Sequence, residues 1–301
     1  MTPPTDKALA VAAEQPRWMA YVELTKLRVS SLVLVAVGVG FCAGWDGAWS
    51  AAAVSRLINT VLGTALVAVA ANALNQLFEV EHDRKMDRTV GRPLPTCRLN
   101  ALEVVAFSVT AVVVGVAYLA VTVNEVAACL AAMTFLSYVF VYTPLKRTTS
   151  MCVLVGAVPG ALPPVIGWAG ATGGLGFEAW LLFAIVYFWQ LPHFAAIAWQ
   201  YREDYAKAGY PMLAVIDEDG TRTSLHVVTH TVTLIIASLL PALYGFSGVA
   251  YGMGAVVLGL AFLVCGVWFV SNKSRESARF HVIVSIIYLP LLLALLLIDK
   301  V

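Results

Sequence analysis

Long apolar runs repeat along the whole chain and are separated by short polar stretches. Nine runs stand out as separate segments: about 29–45, 57–80, 101–123, 126–143, 151–171, 178–200, 224–245, 249–270 and 280–298. A helix of about 20 residues crosses a hydrocarbon layer of ~30 Å. Because only helices and closed barrels satisfy every backbone hydrogen bond in lipid, runs this long indicate helices. The pattern therefore predicts an all-α, polytopic membrane protein with nine transmembrane helices.

The composition supports a protein that lies in a lipid bilayer. Of the 301 residues, 60% are hydrophobic and 12% are charged, and the mean hydropathy is +0.83, whereas soluble domains are about 25% charged. The five cysteines are scattered without a CxxC pair, which predicts neither a disulfide framework nor a zinc site. Residues 1–26 lack the short apolar core and cleavage site of a signal peptide. We expect contact with the bilayer and no nucleic-acid partner.

The basic residues indicate one orientation in the membrane. Of the 19 Lys and Arg residues, 17 lie in the N-terminal tail or in the connections that follow the even-numbered segments. The positive-inside rule places this face and the N-terminus in the cytoplasm, and the C-terminus outside. We expect a cytoplasmic tail over residues 1–28 and a single transmembrane domain over residues 29–301, with sizeable cytoplasmic loops at 81–100 and 201–223.

One stretch breaks the apolar pattern, "NALNQLFEVEHDRKMDRTVGRPLP", which begins at residue 72. The second segment has no helix breaker before Gly91, so we expect helix to about Val90. On such a helix four polar side chains recur every fourth residue and share one face: Asn75, Glu79, Asp83 and Asp87. Two like charges about 6 Å apart cost about 3 kcal/mol at an effective dielectric constant of ~20. Arg or Lys side chains, or a Mg²⁺ ion shared with phosphate oxygens, would offset this repulsion.

The simplest interpretation of this stretch is a solvated, salt-bridged helix end, but its position favours a functional site. Polar side chains that precede the loop fall inside the membrane boundary, where they are costly and usually functional. They are Asn72, Asn75, Gln76 and Glu79. A second acidic and aromatic stretch, "YREDYAKAGYPML" (residues 201–213), follows the sixth segment on the same face of the membrane.

The histidines leave several roles open. His193 follows a proline inside the sixth segment, roughly 10 Å from its cytoplasmic end by helix rise, and a histidine at that depth is functional by default. It can ligate haem iron, act as a base or bond to a neighbouring helix. His226 and His230 are four residues apart, a spacing that suits a shared ligand but also arises by chance. We expect His82 to tune the charged loop and His281 to lie in a helix interface.

The charged stretch resembles the first aspartate-rich motif, N-D-x-x-D-x-x-x-D, of the UbiA superfamily of intramembrane prenyltransferases. Asn75 takes the Asn position and Asp83 takes the last Asp position. Gln76 and Glu79 stand at the two Asp positions between them. The sequence departs from the motif here, because Gln76 carries no charge.

The second motif of that superfamily is usually D-x-x-x-D, and this chain departs from it further. Tyr201 and Tyr205 stand at the two Asp positions, and Asp204 is offset by one residue. The resemblance therefore leaves the number of metal ions open.

Five blocks together resemble one branch of the superfamily, the protohaem IX farnesyltransferases or haem O synthases. They are "NQLFE" with "DRKMDRT", "YTPLKRTT", "GAVPGALPPVIGW", "WQLPHF" and "EDYAKAGYPML". The similarity covers about residues 20–297 and implies a UbiA-type bundle whose active site faces the cytoplasm of a bacterial cell membrane. It implies transfer of the farnesyl group of farnesyl diphosphate to a vinyl group of haem B, with addition of water, giving haem O and diphosphate. It also implies Mg²⁺ as cofactor, and haem A synthase or terminal-oxidase assembly factors as partners.

The resemblance assigns roles to particular residues. The catalytic set is Asn75, Glu79, Asp83, Asp87 and Asp204. The metal ligands among them are Glu79, Asp83 and Asp204. The substrate-binding set is Asn72, Arg88, Arg92, Lys146, Arg147, His193 and Tyr205.

Two other functions remain open from the sequence. The first is a UbiA-type prenyltransferase with an aromatic or chlorophyllide acceptor, against which Gln76, Glu79 and the histidine of "LPHF" argue. The second is a membrane transporter. A transporter places polar groups near the membrane centre with openings to both sides, whereas the outer connections here are short and nearly uncharged.

Overall fold

The computed structural model describes residues 16–301, except for the side chain of Arg28. Residues 1–15 of the predicted cytoplasmic tail lie outside the described residues. In the described part, the regular structure is helical apart from one isolated bridge between Ser247 and Lys300. The predicted all-α class is confirmed.

The helices follow one another in chain order with short connections. They are α1 Arg17–Leu24, α2 Leu27–Gly44, α3 Ala51–Asp83, α4 Ala101–Thr122, α5 Glu125–Leu136, α6 Cys152–Ala161, α7 Pro163–Thr172, α8 Phe177–Gln200, α9 Arg202–Ala208, α10 Leu213–Ile216, α11 Thr221–Leu243, α12 Val249–Asn272 and α13 Arg275–Ile298. Helix α5 continues through the π-helical turn Ser137–Tyr142 into Thr143–Leu145.

The apolar helices account for the nine predicted segments. Over residues 16–301, eight spans are long and apolar enough to cross a membrane, and the pair α1–α2, bent by 48°, makes a ninth if it is one span. The break between α1 and α2 falls at Thr25 and Lys26, where Lys26 has a φ of 48°. One predicted segment is also divided, because α6 and α7 meet at Leu162, directly before Pro163 and Pro164.

Two groups of helices pack around the middle of the molecule. In the first, α3 packs along α4, and α2 packs along α7; in the second, α8, α11, α12 and α13 pack on one another. Glycines permit the close approach of α2 and α7. A Cβ atom on Gly40 would lie 1.9 Å from the Pro164 carbonyl oxygen, and one on Gly167 would lie 1.9 Å from the Val37 carbonyl oxygen. Small residues allow such contact between membrane helices.

The charged end of α3 differs from the prediction. The helix ends at Asp83 rather than near Val90, because the chain folds back on its own terminus. The Thr89 hydroxyl donates to the Asp83 carbonyl at 3.0 Å, and residues 84–98 form turns. Asp87 therefore does not extend the polar face of α3. Its side chain is 82% exposed and accepts a bond from Lys207 at 2.8 Å, so the predicted four-residue stripe was wrong at its last member.

Candidate active site

Charged side chains gather in the last turns of α3 and in the loops that face them. We call this set the charged cluster; its members are Asn75, Glu79, Asp83, Lys26, Lys146 and Arg92. Glu79 is 3% exposed and Asp83 is not exposed at all. Carboxylates removed from water in this way need partners inside the protein. The surrounding cations supply them.

Each carboxylate of the charged cluster has its own cation. Lys146 Nζ donates to Glu79 Oε1 at 2.9 Å, and Arg92 Nη1 donates to Asp83 Oδ2 at 2.7 Å. A third cation, Lys26, donates to the Asn75 amide oxygen at 2.8 Å. Two cations thus balance two carboxylates, and Lys26 adds a third basic nitrogen. Arg88, which lies at the edge of the cluster, adds a further positive charge, and this charge favours an anion beside it.

The break between α1 and α2 places Lys26 in the cluster. The Asn72 amide donates to the Thr25 carbonyl at 3.3 Å and to the Ser30 hydroxyl at 3.1 Å. The Gln76 amide donates to the Leu24 carbonyl at 3.1 Å. These two side chains satisfy backbone carbonyls at the break, so α3 holds the bend. The contact of Lys26 with the acidic face could not be predicted from the sequence, because the contact depends on this bend.

The π-helical turn positions the other side of the cluster. The Asn75 amide donates to the Thr143 hydroxyl at 3.2 Å, and that hydroxyl donates to the Tyr138 carbonyl, five residues back, at 2.9 Å. Single π-turns occur frequently at functional sites. Burial opposes the charged form of Lys146, but the Glu79 carboxylate and the three nearby tyrosine hydroxyls together outweigh it and hold the pKa of Lys146 well above its usual value. Lys146 is therefore a fixed positive charge.

Three tyrosines surround the exposed side of the charged cluster. The Arg88 guanidinium carbon lies 5.2 Å from the Tyr201 ring centre and 5.0 Å from the Tyr205 ring centre, and Arg88 also donates to the Tyr205 hydroxyl at 3.0 Å. Lys146 Nζ lies 4.8 Å from the Tyr210 ring centre. These distances are those of cation–π contacts. Burial raises the pKa of Tyr210, so its ring stays neutral beside the cations.

Tyr201 and Tyr205 stand at the two positions that the second aspartate-rich motif usually fills with acidic residues, so they change which ligands this part of the site can bind. Tyr205 and Tyr201 orient a guanidinium instead of offering carboxylates. Asp204 is mostly buried, with 14% of its side chain exposed, and its nearest cation is Lys207 at 4.0 Å. A hydrogen bond to Asp87 raises the pKa of Lys207. Lys207 thus contacts both Asp87 and Asp204, the two predicted catalytic carboxylates that lie outside the charged cluster.

Arg147 is the remaining predicted phosphate ligand, and it points elsewhere. Its side chain is exposed and donates to the Phe78 carbonyl. Of the two neighbouring cations, only Lys146 enters the charged cluster. The substrate-binding role of Arg147 stays a prediction.

The donor set of α3 fits one Mg²⁺ ion. Asp83 Oδ1 is buried and has no hydrogen-bond partner, and Glu79 precedes it by one helical turn. Hard carboxylate oxygens, together with phosphate oxygens, are the ligands that Mg²⁺ prefers. Within residues 16–301, no three His, Cys, Asp or Glu side chains lie together as a metal-binding group. The metal set of Glu79, Asp83 and Asp204 therefore stays a prediction, with Glu79 and Asp83 the pair that is already adjacent.

The histidines lie in different surroundings. His193 is 9% exposed, and its Nδ1 lies 2.6 Å from the Ser285 hydroxyl of α13. His281 is fully buried, as predicted for an interface residue, and stacks on Phe262 with ring centres 4.6 Å apart. We call His193, Ser285 and Trp189 the histidine seam, since Trp189 contacts both of the others.

The other histidines have local contacts. The rings of His226 and His230 lie 4.1 Å apart, and His230 Nδ1 lies 2.7 Å from the His226 carbonyl oxygen. A shared ligand at this pair stays a hypothesis. His82 stacks on Tyr210 with ring centres 4.6 Å apart, and Tyr210 in turn contacts Lys146 of the charged cluster.

Fold and site together define a multi-pass helical membrane protein with a buried, positively biased acidic site. The chain matches the model of the UbiA prenyltransferase family over residues 31–292. It is 46% identical to the protoheme IX farnesyltransferase of Solibacter usitatus over 286 residues, 93% of this chain and 98% of that protein. It is 36% identical to the mitochondrial protoheme IX farnesyltransferase of Arabidopsis thaliana, over 93% of this chain and 65% of that protein. The chain belongs to the UbiA prenyltransferase family.

Solved structures show the same fold. A structure of digeranylgeranylglyceryl phosphate synthase superposes with a TM-score of 0.77 at 16% identity, covering 94% of this chain and 98% of that one. A UbiA homologue from Archaeoglobus fulgidus, bound to DMAPP and Mg²⁺, superposes with a TM-score of 0.63 at 16% identity, covering 92% and 98%. The protein is thus a membrane-embedded prenyltransferase of UbiA architecture.

Proposed function

We propose that this protein transfers the farnesyl group of farnesyl diphosphate to a vinyl group of haem B, with addition of water, giving haem O and diphosphate. The observation that supports farnesyl diphosphate as the donor is the convergence of basic side chains on the two carboxylates of the charged cluster, with Arg88 at its edge. The choice of haem B as the acceptor rests on relatives named protoheme IX farnesyltransferase that are up to 46% identical.

The charged cluster is the proposed diphosphate site. Lys26, Lys146 and Arg92 converge on the polar face of α3, and Arg88 is oriented at its edge by Tyr205. Arg and Lys make strong charge-assisted bonds to phosphate oxygens. As the allylic carbon–oxygen bond breaks, negative charge grows on the leaving oxygens, and fixed cations stabilise that charge.

Glu79 and Asp83 are the proposed ligands of Mg²⁺. When bound, Mg²⁺ supplies further positive charge to the leaving oxygens and orients them. Lys146 pairs with Glu79 and Arg92 pairs with Asp83, which holds both carboxylates in place at the cluster. The tyrosine rings beside Arg88 and Lys146 present apolar, electron-rich faces that also suit a carbocation.

His193 is the proposed contact for haem B. It lies in α8, seven residues before the end of that helix, and its neutral imidazole can ligate haem iron. The chain would lie in a bacterial cell membrane with its N-terminus and charged loops in the cytoplasm, by the distribution of its basic residues. Haem A synthase or terminal-oxidase assembly factors are the partners that we propose for a protein with this product.

The test is product formation in membranes that contain the protein. Given haem B, Mg²⁺ and farnesyl diphosphate, such membranes should form haem O, identified by the mass of farnesylated haem. Membranes with equal amounts of the Asp83→Ala variant should form haem O about 10³-fold more slowly or not at all. Absence of farnesylated haem from folded wild-type protein would contradict the proposal. If product appeared instead from an aromatic acid offered as acceptor, the prenyltransferase would have another substrate.

A further inference from the structure

The Ser285 hydroxyl makes two short contacts, and it has only one proton to donate. Its Oγ lies 2.6 Å from the Val282 carbonyl oxygen, one turn back along α13. The same Oγ lies 2.6 Å from His193 Nδ1. A carbonyl oxygen only accepts hydrogen bonds, so the Ser285 proton goes to Val282. The hydroxyl must then accept from His193, which places a proton on Nδ1.

Trp189 contacts both Ser285 and His193. Its indole N–H donates to the Ser285 carbonyl at 2.8 Å. Its ring stacks on the His193 ring with centres 4.9 Å apart and planes 17° apart. Ser285 is fully buried. The imidazole is therefore held at its edge by a hydroxyl and at its face by an indole.

The other ring nitrogen of His193 is left without a partner. In the described part of the chain, no hydrogen bond reaches its Nε2, yet Nε2 is not among the buried polar atoms that are closed off without a partner. His281 gives the contrast, since both of its ring nitrogens are closed off inside the protein. A neutral imidazole with its proton on Nδ1 has a free electron pair on Nε2.

We infer that Ser285 and Trp189 are positioning residues, which fix His193 with its proton on Nδ1 and present Nε2 as the axial ligand of an iron porphyrin. This inference rests on the proposed function for the choice of ligand. A hydrogen-bond acceptor behind a metal-binding histidine fixes its tautomer and ring orientation and raises its basicity. Loss of such a partner typically weakens metal binding about 10–100-fold.

The experiment is a titration of the purified full-length protein in detergent with haem B. It follows the Soret band for affinity and the Fe–His stretching band of the ferrous complex for the ligand. Wild type should show an Fe–His band that His193→Ala lacks. Ser285→Ala should lower the frequency of that band and weaken haem binding about 10–100-fold, and Ser285→Thr, which keeps the hydroxyl, should restore both.

Ser238→Ala is the matched control. Ser238 is also fully buried, and its hydroxyl lies 3.1 Å from the Tyr288 hydroxyl rather than near His193. This variant should keep the wild-type haem spectrum. Farnesyl thiodiphosphate, an unreactive donor analogue, should bind Ser285→Ala with wild-type affinity. A wild-type Fe–His frequency and haem affinity in Ser285→Ala would overturn the inference.

A second variant guards against misfolding. If Ser285→Ala bound neither haem nor the donor analogue, Ser285→Cys, which has a similar volume and a weaker acceptor, should give an intermediate Fe–His frequency. An unshifted frequency in that variant would also overturn the inference. Haem O formation by a wild type that lacks an Fe–His band would contradict the inference alone. A Ser285-dependent band without haem O formation would contradict the proposed function alone.

Discussion

The charged cluster and the histidine seam both bury polar side chains, but they balance them differently. In the charged cluster, buried Glu79 and Asp83 each meet a cation. In the histidine seam, a neutral imidazole meets a neutral hydroxyl, and the indole of Trp189 completes the set. The first region is built from ion pairs between α3 and the loops beside it. The second is built from contacts between the two helices α8 and α13.

The difference matches two kinds of ligand. Excess fixed positive charge suits a diphosphate, which carries several negative charges. A neutral nitrogen with a free electron pair suits a metal in an apolar macrocycle. The comparison thus predicts that a substitution in one region should weaken the binding of one ligand and leave the binding of the other unchanged.

The largest effect should come from Asp83→Ala. The substitution removes the carboxylate that pairs with Arg92 and its unpartnered Oδ1, so turnover should fall by about 10³-fold or more. Asp87→Ala is the control, because the Asp87 side chain is 82% exposed, and it should retain most of the activity. Haem O formation by equal amounts of protein in membranes measures both. If both variants lost the same activity, Asp87 would act together with the carboxylates of α3, as the sequence predicted.

The next effect concerns stability. Lys146→Met leaves Glu79 buried without its cation, which should lower the free energy of unfolding by about 3–5 kcal/mol. Adding Glu79→Leu should recover most of that loss without recovering activity. Thermal unfolding in detergent measures the change. Because the pKa of Lys146 lies well above its usual value, the pair should keep its full stabilising effect below the ordinary pKa of lysine and lose it as the pH rises from there through the raised pKa.

A smaller effect is expected at the tyrosine that orients Arg88. Tyr205→Phe removes the hydroxyl that accepts from Arg88 but keeps the ring face. Binding of farnesyl thiodiphosphate should weaken about 3–10-fold. Haem affinity should not change. Calorimetric titration of both ligands checks this, and Tyr244→Phe, at an exposed position in the connection after α11, is the control. A wild-type affinity in Tyr205→Phe would remove the positioning role.

The smallest effect should come from His281→Phe. His281 stacks on Phe262, and neither ring nitrogen has a hydrogen-bond partner. Replacing a buried polar group that lacks partners with an apolar ring should change the free energy of unfolding by about 1 kcal/mol or less. The haem spectrum should be unchanged. A lost Fe–His band in this variant would make His281, rather than His193, the iron ligand.

The sequence predicted the parts of the site that depend on local periodicity. The spacing of four residues between Asn75, Glu79 and Asp83 was sufficient to place them on one face of a helix, and all three are buried there. The prediction failed at Asp87 because the end of α3 is set by bonds from the loop that follows the helix. Arg92 and Thr89 fold back onto Asp83, and no local breaker marks that point.

The remaining residues could not be found from the sequence because distant elements bring them together. Lys26 reaches Asn75 across 49 positions, through a bend that Asn72 and Gln76 hold. Ser285 meets His193 across 92 positions and resembles any other serine in an apolar helix. A single serine in such a helix carries no periodic signal, so only the packing of α8 on α13 reveals its partner.

The most direct test of the two-region account is a reciprocal binding measurement on Asp83→Ala and His193→Ala. Each purified variant is titrated separately with farnesyl thiodiphosphate and with haem B. The account predicts that Asp83→Ala loses the diphosphate and keeps haem, whereas His193→Ala loses haem and keeps the diphosphate. Equal loss of both ligands in either folded variant, or the reverse pattern, would contradict the account.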